Sequence, residues 1–496
     1  MRSGTVMAAA IDIAPIEATR RAPHGLAAGL FVLVWLSCIW FGSFALNPNN
    51  ATRLFGAIEL VEKGDARIDR FETLTIDKAR FGRHYAVDKA PGMTLMAMPA
   101  VWVVNTATHS TSSGQIIDIT EPHFYRFLKA RQQLAVATTS AVLTAFAAVL
   151  LFDFGCGLTG SVAAGLFGAL GYALGSIVWG WSTTLFGHAP AAALLTIAIW
   201  AVWRGTSGAA ELARWRYPVM IGAVLGWAVV IEFPTVISAG AIGLWALWRT
   251  RSLAWPARLR LYLPTVAAAL LMLVPLALYN QIAFGTPFKL GYEGVIGFDG
   301  MQRGLFGLTY PKPEALFGIV IGDRRGLFWF APVLLLGAAG LVVMIRARAT
   351  RDLGVMAVAA IAMVLLVNAS YVYWTGGGST GPRHSVTAIP FLALGLAPLF
   401  ARLRTPGARL VAGAVLGVSL LINLLVTATD MFDDDRTTWP LWNINAKLAA
   451  TGKFSTLPSD WWGWEPWRGL VLYLVIALPL LWLIARTALR NDRRQA

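Results

Sequence analysis

Apolar residues fall in long runs along this chain, and polar residues collect between them. Twelve runs approach the ~20 residues an α-helix needs to cross a bilayer: 26–46, 134–151, 160–179, 189–203, 218–231, 234–248, 262–279, 327–345, 353–372, 386–400, 410–427 and 470–485. None alternates apolar and polar residues in the ~10-residue segments of a membrane β-barrel. The pattern predicts an all-α, polytopic membrane protein of about twelve spanning helices. The two runs flanking Glu232-Phe233-Pro234 are each short. A further apolar run, 91–106, is too short for a span and is read as a helix lying along the membrane interface.

Composition agrees: of 496 residues, 57% are hydrophobic and 14% charged, against about 25% charged in soluble domains. The net charge of +15 invites a nucleic-acid partner, but its distribution removes that reading. With residues 1–25 inside and the twelve spans alternating, the inner segments hold 20 arginines against 6 acidic residues, nearly the whole excess. Basic residues accumulate on the cytoplasmic side of membrane proteins, so the basicity is a topology signal. Two cysteines, Cys38 in an apolar run and Cys156 in a short loop, make no disulfide framework. Residues 1–25 carry Arg2, Arg20 and Arg21 but also Asp12, Glu17 and Pro15, and no small-residue cleavage site follows. A retained first helix is expected, not a cleaved signal peptide.

The predicted organisation is a cytoplasmic tail (1–25), a transmembrane module (26–428) with periplasmic loops at 47–133, 279–326 and 374–385, and a segment (429–496) holding a Trp-rich periplasmic loop, the last span and a cytoplasmic tail. Long polar loops on one face and short arginine-rich ones on the other put the working surface of a bacterial inner-membrane protein on the periplasmic side. No Walker loop, zinc-ligand cluster, nucleophile elbow or dinucleotide fingerprint occurs. A site without nucleotide chemistry on that face implies a lipid-linked substrate.

Several constellations carry candidate chemistry. The densest runs from Asp77 to Gly92 and includes Arg80, Arg83, His84, Tyr85, Asp88 and Lys89. Lys89 precedes Pro91-Gly92 at the predicted start of the interfacial helix, where a cation and free backbone N–H groups suit a phosphate; a solvated loop whose lysine meets lipid headgroups is the plainer reading. Arg126, Lys129 and Arg131 stand just before the second span, on the face where basic residues are scarce, and suit an anionic lipid headgroup. His188 ends the stretch Ser182-Thr-Thr-Leu-Phe-Gly-His188 and suits a sugar hydroxyl or a base. Trp374-Thr-Gly-Gly-Gly-Ser-Thr-Gly-Pro-Arg383-His384 is a loop whose glycines allow close approach to a ligand, with Arg383 as a phosphate clamp. Glu232 is an acid between two short apolar helices, a position that defaults to functional suspicion, or to an interface where Pro234 breaks the helix.

The order of these elements resembles the GT-C superfamily, integral-membrane glycosyltransferases that use polyprenyl-phosphate sugars and include the lipid A aminoarabinose transferase and protein mannosyltransferase-like enzymes. Tyr85-Ala-Val-Asp88-Lys89-Ala-Pro91-Gly92 looks like the family's Tyr-x-x-Lys-Pro motif, which implies Lys89 as ligand of the carrier phosphate. Arg131 or Arg126 looks like the arginine preceding the second span, and His188 falls near the place where many members of the family keep a second outer acid. The family's acidic motif would fall at Asn49-Asn50, where this chain has amides, and an amide is not a general base.

The sequence therefore predicts a GT-C-like glycosyltransferase moving a sugar from a polyprenyl-phosphate donor to an envelope lipid, glycan or protein. Asp77, Asp88 and His188 are the candidate catalytic residues. Lys89, Arg83, Tyr85, Arg131 and Arg383 are candidates for donor phosphate, and Asn49, Asn50, His84, Trp374 and His384 for the rest of the substrate. No cofactor or metal is required, and a divalent metal fits the reading. A lipid-linked polysaccharide transporter would line its spans with polar groups, of which Asn368 and Asn423 stand out; the amides at 49 and 50 would suit a non-catalytic scaffold.

Overall fold

A computed structural model describes residues 20–42, 47–432, 434 and 436–494. The tail before residue 20 and the end of the first predicted span, 43–46, lie outside the described residues. The chain is an all-α polytopic membrane protein, and its one sheet among those residues is a two-stranded hairpin. Helices form at all twelve predicted places. Five are by themselves long and apolar enough to cross a membrane: Pro122–Thr159, Trp255–Phe284, Arg351–Ser370, Pro406–Ala428 and Pro466–Arg493. A sixth span results if Arg383–Ala393 and Leu396–Arg402, bent by 40°, are taken together. His24–Trp40, Val162–Ala173, Arg216–Ile231 and Val333–Arg346 are shorter apolar helices.

The second predicted span ended too early. Asp153 and Cys156, read as loop, lie inside helix Pro122–Thr159, and Cys156 is buried. Asp153 is tolerated there because it has partners: Arg204 Nη2 at 3.0 Å, Trp200 Nε1 at 2.8 Å and the backbone N–H of Ala22 at 3.1 Å. Asp352 likewise takes Arg249 at 3.0 Å and Trp245 Nε1 at 2.9 Å. Asp492 takes Arg20 at 3.2 Å and accepts from the backbone N–H groups of Val162 and Ala163. The acids at the arginine-rich end thus join helices to one another.

The polar stretch after the first helix is itself folded. We label its helices α1 (Pro48–Lys63), α2 (Gly92–Thr108) and α3 (Pro122–Thr159). Asn47 starts α1 by accepting from the N–H of Asn49 at 2.9 Å, with Pro48 in the first turn and Gly64 left-handed at the end. Between α1 and α2 the strands Ala79–Phe81 and His84–Ala86 pair antiparallel. An aromatic ladder fills the space beneath: Phe55 stacks on Phe71 at 4.5 Å, and Phe71 is 6.4 Å from Phe124. Glu62 on α1 accepts from Asn105 of α2 at 3.0 Å and from the N–H of Ser112 at 3.0 Å. The run 91–106 is a helix, as expected, and packs between α1 and α3.

The 429–469 segment returns to this unit. Asp460 Oδ1 lies 3.4 Å from Lys129 Nζ, Ser455 donates to the carbonyl of Gly42 at 2.9 Å, and Trp461 Nε1 bonds Gln133.

Candidate active site

Three stretches far apart in sequence meet at one end of the helix bundle. The first brings Lys89. Its Nζ lies 2.5 Å from Asp88 Oδ2 and 3.5 Å from Asp77 Oδ2. The Asp88 side chain is 1% exposed and that of Lys89 22%, so the ammonium is the part of this triad open to a ligand. Partial burial works against its charge, but the carboxylates of Asp88 and Asp77 outweigh that and hold its pKa above the usual 10.5. Lys89 is therefore a permanent cation at neutral pH. Both carboxylates expected as candidate bases face this lysine. Just beyond, α2 starts at Gly92, where a Cβ would stand 2.7 Å from both the carbonyl of Val230 and the N–H of Ile231. A side chain there would push α2, and Lys89 with it, away from Glu232.

The second stretch pairs Arg53 of α1 with Glu232 and His188. Arg53 is 1% exposed. Its Nη2 lies 3.3 Å from Glu232 Oε1, and the same oxygen lies 3.5 Å from His188 Nδ1. Glu232 stands in the break between helices Arg216–Ile231 and Thr235–Arg249, and His188 opens helix His188–Gly205. Gly187 permits the contact, because a Cβ there would stand 2.4 Å from Glu232 Oε1. Asn50 accepts from the N–H of Leu185 at 3.0 Å and ties α1 to the segment leading into His188. Asn49 Oδ1, Asn50 Nδ2, Thr52 Oγ1 and Arg53 Nε are buried without a hydrogen-bond partner among the described residues. Such orphans in the first turns of one helix call for a polar ligand or water.

The third stretch is the glycine-rich loop. Gly376, Gly377 and Gly381 have φ of 79°, 65° and 74°, a backbone that other residues rarely adopt. Arg325, fully buried, donates to the carbonyls of Thr375 at 2.9 Å and Gly377 at 2.8 Å and fixes the loop from within. Arg383 then lies over the Phe186 ring at 5.1 Å, its Nε buried and unpaired among the described residues. The His384 ring meets His188 and Tyr371 edge-on, each at 5.4 Å.

These pieces form one electrostatic unit. Glu232 feels Arg53, Arg383 and Lys89, and Arg383 feels Asp77 and Glu232. The structure thus gathers Asn49, Asn50, Asp77, Asp88, Lys89, His188, Arg383 and His384 from the sequence-derived candidates. It adds Arg53 and Tyr371, and gives Glu232 its partners. Arg53 stands three and four residues after the two asparagines, one helical turn on; its charge was the only sign in the sequence. No group of three or more His, Cys, Asp or Glu suited to a metal ion occurs among the described residues.

The remaining candidates are placed elsewhere. Arg83 and His84 are exposed on the hairpin, where His84 Nδ1 sits 2.8 Å from Asp69. Tyr85 pairs in the hairpin and takes Lys78 over its ring at 5.0 Å. Trp374 packs against Gly318, beside Ala315 and Ile319. Arg131 is engaged by protein: it donates to Asn105 Oδ1 at 2.7 Å and to the carbonyls of Phe127 at 2.7 Å and Ser110 at 2.8 Å. It joins the end of α2 to α3. Arg131→Ala is expected to lower stability by about 2 kcal/mol or more, since it strands buried acceptors, while leaving the affinity for a polyprenyl phosphate within twofold. A variant of unchanged stability that no longer binds the lipid would return Arg131 to the ligand site.

No family model and no curated protein matches the chain. Among solved structures, ArnT from Cupriavidus metallidurans bound to undecaprenyl phosphate superimposes with a TM-score of 0.54 at 15% identity, over 94% of this chain and 72% of that one. The apo state of ArnT from the same organism gives 0.50 at 15% identity, over 94% and 73%. At that identity the likeness is one of fold, and it is the all-α, polytopic kind of fold expected from the sequence.

Proposed function

We propose that this protein is a membrane glycosyltransferase that moves a sugar from a polyprenyl-phosphate donor to a cell-envelope acceptor, on the periplasmic side of a bacterial inner membrane. The observation that carries the reading is the meeting of Lys89, Arg53 and Arg383, drawn from three separate segments, around Glu232 in a setting of amides and imidazoles. Cations at this density suit a phosphate, and buried unpaired amides beside them suit sugar hydroxyls. A solved protein of the same fold is bound to undecaprenyl phosphate, a ligand of the class these cations would take.

In this reading Lys89 and Arg383 hold the donor phosphate, with Asp88 and Asp77 keeping the lysine oriented and charged. The acceptor oxygen attacks the anomeric carbon, the bond from that carbon to the phosphate oxygen breaks, and the polyprenyl phosphate leaves with the electron pair. Because the leaving group is already an anion, fixed cations and positioning supply most of the rate. The transporter reading is weakened by the two asparagines that would mark a path. Asn368 donates to Ser385 at 2.8 Å, and Asn423 donates to the carbonyls of Phe330 and Ser419, each at 2.8 Å. Both join helices to their neighbours.

Envelope lipids and glycans from cells with and without the protein, compared by mass spectrometry, test the reading. One sugar-bearing species is expected to vanish on deletion and return on complementation; unchanged profiles with accumulated donor unaffected would overturn it. Sidedness is tested separately. Cys38 and Cys156 are both buried, so Ile116→Cys, at a site 73% exposed, provides a single reactive thiol. It is expected to react with a membrane-impermeant maleimide from the periplasm; labelling only after the inner membrane is opened would invert the topology.

A further inference from the structure

We infer that Glu232, held by Arg53 and His188, is the base that takes the proton of the acceptor hydroxyl. The inference rests on the glycosyltransferase reading and names the acceptor side of its site. Three observations lead to it.

First, Asp77 and Asp88 are both directed at Lys89, at 3.5 and 2.5 Å. A carboxylate that neutralises the phosphate-binding lysine is poorly placed to collect a proton from the opposite side of the sugar. Second, positions 49 and 50 are amides, yet Arg53 on the same helix reaches out to a carboxylate from a different part of the chain. The carboxylate missing at positions 49 and 50 is brought to the start of α1 by the break after Ile231. Third, both ion pairs of Glu232 use Oε1, which leaves Oε2 outside the two pairs. The side chain keeps 13% exposure, and the buried orphans Asn49 Oδ1, Asn50 Nδ2 and Arg53 Nε stand on the helix that meets it. A hydroxyl-bearing acceptor placed among those orphans meets Glu232 on one side, with the donor phosphate at Lys89 and Arg383 on the other.

The step balances. The acceptor O–H proton passes to the Glu232 carboxylate as the oxygen bonds the anomeric carbon. The bond from that carbon to the phosphate oxygen breaks, and its electron pair leaves on the polyprenyl phosphate. Glu232 then returns the proton to water. Attack from the face opposite the phosphate inverts the anomeric centre. Arg53 and His188 orient the carboxylate; they are positioning residues. The charged and titratable groups facing Glu232 among the described residues include Arg53 on α1, Lys89 before α2, His188 at the start of its helix, Tyr292, and Arg383 on the glycine-rich loop.

The test uses the full-length protein in detergent or nanodiscs, with the polyprenyl-phosphate sugar that accumulates in the deletion strain as donor and undecaprenyl phosphate as binding probe. Glu232→Gln is expected to lower turnover by about 10²-fold or more, the usual range for loss of a general base, with undecaprenyl phosphate affinity unchanged within twofold. Asp77→Asn is expected to act mainly on affinity. Because Glu232→Gln weakens the hold on a buried arginine, Gly187→Ala serves as a second variant. It leaves every charge in place but sets a methyl 2.4 Å from Glu232 Oε1, and is expected to cost turnover at unchanged affinity. Added formate is expected to restore part of the turnover of Glu232→Ala, which a merely structural glutamate would not show. Wild-type turnover in Glu232→Gln, or equal loss of affinity and turnover in both variants without formate rescue, overturns the assignment while the glycosyltransferase reading stands. A wild-type protein with no donor-dependent product overturns both.

Discussion

Lys89→Ala is expected to abolish donor use, with turnover down by at least about 10²-fold and a matching loss of undecaprenyl phosphate affinity. Removing one preorganised donor from a developing negative charge costs about 10²–10³ in rate. Here the donor is a full cation, with Asp77 and Asp88 left facing the phosphate in its place, so attraction becomes repulsion. Lys89→Arg keeps the charge but not the compact ammonium between two carboxylates, and is expected to retain part of the affinity. Lys63→Ala is the control. Lys63 is 2.7 Å from Glu59 on the same helix face, with its side chain 43% exposed, and its loss is expected to change activity less than twofold. The pH dependence follows from the direction of the shift. Lys89 is held above 10.5, so its contribution to stability and to phosphate binding is fully present below pH 10.5 and is lost only as pH rises through the higher folded value. Wild-type activity in Lys89→Ala, or an equal effect in Lys63→Ala, would remove Lys89 from the site.

Arg325→Ala is expected to destabilise the protein by about 3–5 kcal/mol, the range for removing one member of a buried charged network, and to silence it without altering any residue of the proposed site. The arginine is fully buried and holds the carbonyls of Thr375 and Gly377. Those carbonyls belong to a loop whose glycines supply no side chains for packing; further along it, the N–H of Thr380 donates to the carbonyl of Met431 at 2.8 Å. With the anchor gone, Arg383 and His384 lose their positions over Phe186 and beside His188. Arg325→Lys is expected to rescue poorly, because one ammonium does not reproduce the planar fork that reaches two carbonyls. Thermal unfolding followed by size-exclusion chromatography, with lipid affinity measured on the folded fraction, checks both parts. A variant of wild-type stability and activity would mean that the loop is held by other contacts.

Much of the fold was legible in the chain itself. Runs of apolar residues near span length have one outcome in a bilayer, since a backbone there must bond internally as a helix. The start of α1 at Asn47-Pro48 and the start of α2 after Pro91-Gly92 are local events, set by a side-chain cap and by proline. Lys89 was recognisable for the same reason: its motif is continuous in sequence. Local reading failed at Asp153 and Cys156, where a charge was read as a loop. Its partners Arg204 and Trp200 lie about fifty residues away, and no window along the chain contains them.

The site's division of labour belonged to the tertiary structure alone. Arg131 and Arg383 are both arginines beside apolar runs, and only the packing shows that one holds α2 against α3 while the other stands at the site with a buried Nε unpaired among the described residues. Asp77 and Asp88 appeared as two alternatives for one role, and the fold sets both against Lys89. Glu232 was a lone acid between two short helices, and its partners Arg53 and His188 come from α1 and from the start of another helix. Helix formation and capping depend on neighbours a few residues away, so the sequence by itself determined them. The meeting of Lys89, Glu232 and Arg383 depends on how closely helices approach, through Gly92 and Gly187, and on a loop anchored by Arg325; those are contacts between distant segments, which only the folded chain decides.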